Sequence, residues 1–158
     1  ITQCLYPVKR LPKAEMLWAL LGQKKDEATL VFTRTKHMAT KLAKRLSSAG
    51  LRARDLQGNM SQNNRRRVLQ DFRSGRFNIL VATDVASRGI DVTRIGHVIN
   101  YDMPDTAENY THRIGRTGRA ARSGMASSFV ESKDFRLVKD IERSQARRLR
   151  RMSLNQAV

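Results

Sequence analysis

The stretch Asn78-Ile79-Leu80-Val81-Ala82-Thr83 is apolar and partly β-branched through its middle, with polar residues only at its ends. A strand with one wet face alternates apolar and polar side chains, whereas a strand covered on both faces has no reason to. This stretch therefore predicts a strand inside a parallel sheet, packed by helices above and below. Ala28 to Thr33 (Ala-Thr-Leu-Val-Phe-Thr) has the same character, and His97 to Tyr101 (His-Val-Ile-Asn-Tyr) reads as a third strand. Helical patterns with legible ends lie around them. Pro12 starts one that carries Leu17, Trp18, Leu20 and Leu21 and ends near Gly22. Thr35 can cap a second, with Met38, Leu42 and Leu46 inward and a stop near Gly50. Ser61 can cap a third that buries Val68, Leu69 and Phe72 and ends at Gly75. Strand and helix alternate with short connections, the pattern of an α/β domain with a mostly parallel central sheet flanked by helices. From Asp134 onward the chain reads as one amphipathic helix with Phe135, Val138 and Ile141 inward.

A length of 158 residues fits a single domain over residues 1–158. A start at Ile1 rather than Met leads us to expect a segment of a longer protein. No apolar run approaches the roughly 18 residues that span a bilayer. A single cysteine, Cys4, excludes an internal disulfide and fits a reducing cytoplasm. The charge is more informative. Thirty-one Lys and Arg against fourteen Asp and Glu give a net +17, a field that favours a polyanion, with nucleic acid the usual one. An anionic membrane surface or a structural basic protein would share that sign. The terminal run Arg147-Arg148-Leu149-Arg150-Arg151 reads as a solvated basic face or as an RNA-contacting extension.

In open α/β sheets ligands collect outside the carboxyl ends of the strands. That rule selects Thr33-Arg34-Thr35-Lys36, Thr83-Asp84 and the segment after Tyr101-Asp102. The residues there are unusual. In His112-Arg113-Ile114-Gly115-Arg116-Thr117-Gly118-Arg119 the arginines recur every third residue, which also fits a basic helix face. Gly115 and Gly118 count against a helix throughout, since each costs about 0.8–1 kcal/mol relative to alanine there. A turn presenting several guanidinium groups suits phosphate oxygens, and opposite a reacting γ-phosphate it would act as an arginine finger. In Ala82-Thr83-Asp84-Val85-Ala86-Ser87-Arg88-Gly89-Ile90-Asp91, Thr83 can bond a phosphate and Asp91 can accept ribose hydroxyls. Asp84 reads equally as a helix cap and Asp91 as a turn former. Leu56-Gln57-Gly58 leads into a helix start with Arg65 just inside, a setting for an anion. No G-x-x-x-x-G-K-[ST] occurs, no acidic pair is placed to hold Mg²⁺, and His37, His97 and His112 are scattered, so we expect no metal on this chain. The arginines await a phosphate that another domain must bind.

These segments resemble a known family. Leu-Val-Phe-Thr-Arg-Thr-Lys from Leu30 is similar to motif IV of DEAD-box RNA helicases, and Gln62 to Arg65 fits their Q-x-x-R element. Ala82 to Val92 resembles motif V, Val98 to Pro104 the segment after it, and His112 to Arg119 motif VI. The resemblance covers nearly the whole chain and implies the second, C-terminal RecA-like domain, a three-layer α/β fold. It further implies an ATP-dependent RNA helicase whose N-terminal RecA-like domain binds ATP with Mg²⁺, so that this segment alone is inactive. By the same resemblance Arg119, Arg116 and His112 serve catalysis, and Asp91, Gly89, Arg116 and Arg119 the nucleotide. Gln62, Arg88 and Arg113 then belong to an interdomain network, and Thr33, Arg34, Thr35, Gly58, Arg65, Thr83 and Asp84 to the RNA backbone. Gln57 and Asn59 depart from the His and Asp of many members, and Ala121 from a common glycine. A DNA helicase of the same superfamily and an RNA-binding module without hydrolysis are the competing readings. His112 opposes the first, since many DNA helicases carry Gln there. Arg116, Arg119 and Asp91 together oppose the second.

Overall fold

The structure, a computed structural model, describes residues 1–23, 26–118 and 123–154. The seven strands are β1 (Thr2–Pro7), β2 (Ala28–Phe32), β3 (Ala53–Leu56), β4 (Ile79–Ala82), β5 (Ile95–Asn100), β6 (Met125–Val130) and β7 (Arg150–Arg151). The helices are α1 (Lys13–Gln23), α2 (Lys36–Ser48), α3 (Gln62–Ser74), α4 (Asp84–Ser87), α5 (Ala107–Ile114) and α6 (Phe135–Gln145). The strands form one sheet in the order β3-β4-β2-β5-β6-β1-β7. Every pairing is parallel, where the sequence predicts a mostly parallel sheet.

The strand order fixes the layers. From β1 the chain moves twice toward the β3 edge and then four times back. Parallel crossovers share one hand, so connections running in opposite directions must cover opposite faces. The packing follows that rule. On one face α1 and α2 bury Leu17, Leu20, Leu42 and Leu46 against Val31, Val81 and Ile99. On the other, α3 sets Val68, Leu69 and Phe72 against Leu30, Phe32 and Leu80. Beside it α5 and α6 set Tyr110, Ile114, Val138 and Ile141 against Leu5 and Ala126. Along β2, Leu30 and Phe32 face one layer and Val31 the other, which is why the strand reads as continuously apolar.

The helix ends are where the sequence places them for α2 and α3. Thr35 Oγ1 accepts from Met38 N at 3.1 Å and Ser61 Oγ from Asn64 N at 3.2 Å. Gly75 closes α3 in the left-handed region, φ +81°. Helix α1 ends at Gln23, one residue past Gly22, close to the expected stop. The tail differs from the expected single helix. Helix α6 stops at Gln145, Ala146 turns the chain at φ +54°, and Arg150–Arg151 pairs with Cys4 and Leu5 of β1. Phe135, expected inward, is 58% exposed, while Leu149 is buried against α6 and its N–H donates to Glu142 Oε2 at 2.6 Å. No helix among the described residues is long and apolar enough to cross a membrane.

That inversion is testable. Leu149→Ala is expected to lower unfolding free energy by about 2–4 kcal/mol, read as a lower urea midpoint. Phe135→Ser is expected to stay within about 0.5 kcal/mol.

Candidate functional site

In a doubly wound sheet a crevice opens where adjacent strands lead to helices on opposite faces. Strand β2 leads to α2 on one side, and its neighbours β4 and β5 lead to α4 and α5 on the other. The crevice above β2 is occupied by one side chain, Arg113, from the last turn of α5. Its guanidinium carbon lies 4.8 Å from the centroid of the Phe32 ring at the end of β2. Toward β4 it grips Asp84 with two parallel bonds, Nε to Oδ1 at 2.7 Å and Nη2 to Oδ2 at 2.8 Å. Toward β5, Nη1 donates to Asn100 Oδ1 at 3.1 Å and to the Asp102 carbonyl at 2.7 Å. Only 3% of the Arg113 side chain is exposed, against 44% of Asp84. A charge buried this deeply is tolerable because nearly every donor is matched, with a carboxylate opposite.

Above this brace lies a cleft of about 140 Å³ lined by Asp84, Ser87, Arg88, Asn109, His112, Arg113 and Arg116. His112 and Arg88 are exposed on its rim. Helix α5 ends at Gly115, after which Gly118 adopts φ +70°. The helix therefore ends inside the motif: Arg113 lies in its last turn and is buried, and Arg116 follows on the glycine-bearing turn. Arg116 is half-buried and donates through Nη1 to the Ile90 carbonyl at 3.1 Å. Thr117 is buried and donates to the Ile95 carbonyl at 2.6 Å, fixing the turn to the start of β5. A Cβ on Gly124 would come within 2.5 Å of Gly118 N, so that turn requires glycine opposite it. Arg119 and Ala121 lie outside the described residues.

A second depression, about 410 Å³, opens beside the first and is lined by Arg34, Lys36, Gly58, Asn59, Thr83, Asp84 and Val85. It collects Arg34, Gly58, Thr83 and Asp84 from three separate segments. Thr35 is exposed at the start of α2, whose first turn it caps. Thr33 is fully buried, and its hydroxyl donates to the Thr35 carbonyl at 3.1 Å, so it shapes the loop from beneath. Arg65 donates to the Ala86 and Arg88 carbonyls at 2.7 and 2.9 Å, tying α3 to the loop after α4. Gln62 is exposed at the first position of α3, Gly89 takes φ +79°, and Asp91 is exposed between buried Ile90 and Val92. Gln57 donates to Asp55 Oδ2 at 2.7 Å and Thr40 Oγ1 at 2.5 Å, so it braces its loop from below.

The second crevice, between β1 and β6, is closed by Lys13, an ion pair absent from the sequence expectations. Its ammonium reaches Asp102 at 2.9 Å and Glu131 at 2.5 Å. Asp102 also accepts the Arg34 N–H at 2.8 Å. Burial alone would raise the Asp102 carboxyl, but the Arg34 N–H and the Lys13 ammonium outweigh it and hold the group below its ordinary 3.8. A carboxyl depressed in the folded state stabilises the fold above its ordinary value and loses that contribution as pH falls through the depressed one. Among the described residues no group of His, Cys, Asp and Glu is arranged to hold a metal ion. The cleft donors are guanidinium and imidazole groups, which suit phosphate oxygens and not a hard cation.

The helicase conserved C-terminal domain family matches residues 12–121. The DEAD-box ATP-dependent RNA helicase CshA of Geobacillus kaustophilus is 41% identical over 152 residues, covering 96% of this chain and 32% of that protein. Among solved structures, the E. coli DEAD-box protein SrmB bound to regulator of ribonuclease activity A superposes with a TM-score of 0.89. That match has 36% identity and covers 99% of this chain and 93% of that one. S. cerevisiae Dbp5 bound to RNA and ADP BeF3 also gives a TM-score of 0.89, at 34% identity over 99% of this chain and 42% of that one. The chain spans between 18% and 32% of the length of the curated relatives it matches.

Two outcomes check the geometry. Asp84→Ala strands a buried guanidinium and is expected to cost on the order of 3 kcal/mol, the low end for breaking a buried pair, because Asp84 is partly solvated. Adding Arg113→Met should recover part of that loss in a double-mutant cycle. Asp102→Asn is expected to lower the urea midpoint at pH 7 and to narrow the gap between the midpoints at pH 7 and pH 2.

Proposed function

The chain belongs to the helicase conserved C-terminal domain family and is the C-terminal RecA-like domain of a DEAD-box RNA helicase; from that premise we propose that it supplies the arginine half of a split ATPase site and part of an RNA-backbone groove. The observation that carries this reading is the juxtaposition of two depressions at the carboxyl ends of the strands, with Asp84 on the wall of both. One presents His112, Arg88 and Arg116, and the other Arg34, Lys36, Gly58 and Thr83.

The chemistry follows from the residue types. Arg116 and Arg119 face the γ-phosphate when the two domains close and stabilise the charge that develops on its oxygens. Asp91 accepts from the ribose hydroxyls, with Gly89 giving the loop its turn. ATP and Mg²⁺ are held mainly by the N-terminal RecA-like domain, which supplies the phosphate cradle that this chain lacks. Gln62, Arg88 and His112 carry hydrogen bonds across the closed cleft, and Arg113 sets the angle from which His112 and Arg116 reach it. Arg34, Thr35, Gly58 and Thr83 contact RNA sugar and phosphate, giving affinity without reading sequence. Thr33, Asp84 and Arg65 support that groove from within. Closure on RNA holds one strand in a path a duplex cannot follow, so short duplexes open locally.

RNA-stimulated ATPase of the full-length protein tests this. Arg119→Ala and Arg116→Ala are each expected to lower turnover by about 10³-fold or more while RNA binding persists. Equal activity would reduce the motif to a basic surface. Stimulation by DNA in place of RNA would move the substrate, and no hydrolysis by the wild type would leave a binding module. The isolated chain is expected to bind single-stranded RNA weakly, with affinity falling as salt rises, and to hydrolyse no ATP.

A further inference from the structure

From the end of α4 to Asp91 the N–H groups of Ser87, Arg88 and Ile90 bond to nearby backbone carbonyls, while the carbonyls of Ala86, Arg88, Ile90 and Asp91 are held by arginines. Arg65, in the first turn of α3, holds the carbonyls of Ala86 and Arg88. Arg116 holds that of Ile90 at 3.1 Å. Arg73, in the last turn of α3, donates through Nε to the Asp91 carbonyl at 3.2 Å. The far end of α3 is itself tied down. Arg94, three residues past Asp91, donates to the Arg73 carbonyl at 3.4 Å and packs over Gly75, where a Cβ would lie 3.2 Å from its Nη1. Helix α3 therefore backs the loop along its length, with Arg65 at one end and Arg73 at the other. Its inner face, Val68, Leu69 and Phe72, is anchored in the core.

Resting on the reading of Asp91 as the ribose acceptor, we propose that Arg73 is a positioning residue for nucleotide recognition, holding the Asp91 backbone so that its carboxylate faces the ribose. Buried Ile90 and Val92 on either side fix which way the Asp91 side chain leaves the loop. They do not fix how far the loop stands off α3, and the Arg73 bond sets that distance. Arg73 touches neither substrate nor a reacting atom. Its Nε–H rather than its charge does the work, because the acceptor is a neutral carbonyl. That separates it from Arg116 and Arg119, whose charge is the point.

The chemistry dictates the variants. A glutamine places Nε2 where arginine places Nε, keeping the donor and removing the charge; methionine has similar length and no donor. In the full-length protein the readout is the ratio of kcat/KM for ATP to that for 2′-deoxy-ATP and 3′-deoxy-ATP, under saturating RNA. Arg73→Met is expected to lower this discrimination about three- to tenfold, the worth of one hydrogen bond. Arg73→Gln is expected to keep it within a factor of about two. Asp91→Ala, measured alongside, should abolish discrimination. If Asp91→Ala abolishes it and Arg73→Met does not alter it, the positioning role is overturned and the ribose reading stands. A loss in which Gln fails as badly as Met, or in which ATP and its deoxy forms fall equally, also overturns it. If Asp91→Ala itself leaves discrimination intact, the ribose reading falls and takes the positioning role with it.

Discussion

The burial of the Arg113 guanidinium constrains everything around it. A cation sealed above Phe32 at the centre of the sheet would be costly without matched acceptors, so its neighbours are chosen for it. Asp84 must follow β4 and Asn100 must end β5, and the Asp102 carbonyl must turn inward. Asn100 in turn donates to Ser128 Oγ at 2.9 Å, which explains a buried serine in the middle of β6. One network, Asp84–Arg113–Asn100–Ser128, thus runs from the end of β4 over β2 to the end of β5 and into β6. Apolar residues of equal volume can pack as stably, but they would not set the angle of α5. With several directional bonds on one side chain, the last turn of that helix has one orientation, and the residues beside Arg113 inherit it.

How much of this the sequence discloses depends on where polarity sits. Strands β2 and β4 are legible because apolar side chains from both layers pack along them. Strands β1 and β6 are not, because their inward polar groups are satisfied by partners far away in sequence. Ser127 pairs with His97 at 2.8 Å, and Gln3 accepts from Tyr110, whose phenol burial pushes up to about 12. A periodicity reading treats such residues as surface and loses the strand. The end of α6 is hidden for another reason. Ala146 takes a left-handed conformation without being glycine, so no stop signal precedes Leu149, and the arginines around it look like one more helical face.

The candidate site shows the same division. The segments at the strand ends announce themselves by glycine and arginine where a fold alone needs neither. Their pairing does not: Asp84 and Arg113 are 29 residues apart, and only the reversal of chain direction at β3 brings them together. Spacing could propose Arg113 for a surface role because nothing in His-Arg-Ile-Gly-Arg distinguishes the arginine that faces inward from the one that faces the cleft. The distinction is one of helical phase, with Arg113 and Ile114 buried while His112 is exposed on the same turn.

That phase relation has a functional consequence. The arginines of this chain share one chemistry and differ only in what surrounds them. Arg113 is spent on the Asp84 carboxylate, Arg65 and Arg73 on backbone carbonyls, while Arg34 and Arg88 remain at the surface. Arg116 stands between these classes, half-buried and donating to Ile90, three residues after the brace. A side chain presented to an anion needs a fixed root, because the backbone that carries it sets the direction of its tip. The Arg113 network and the Thr117 bond supply the root on either side of Arg116, and its guanidinium bond to the Ile90 carbonyl couples the tip to the loop before β5. Rigidity one helical turn away is what fixes the direction from which that tip reaches the cleft.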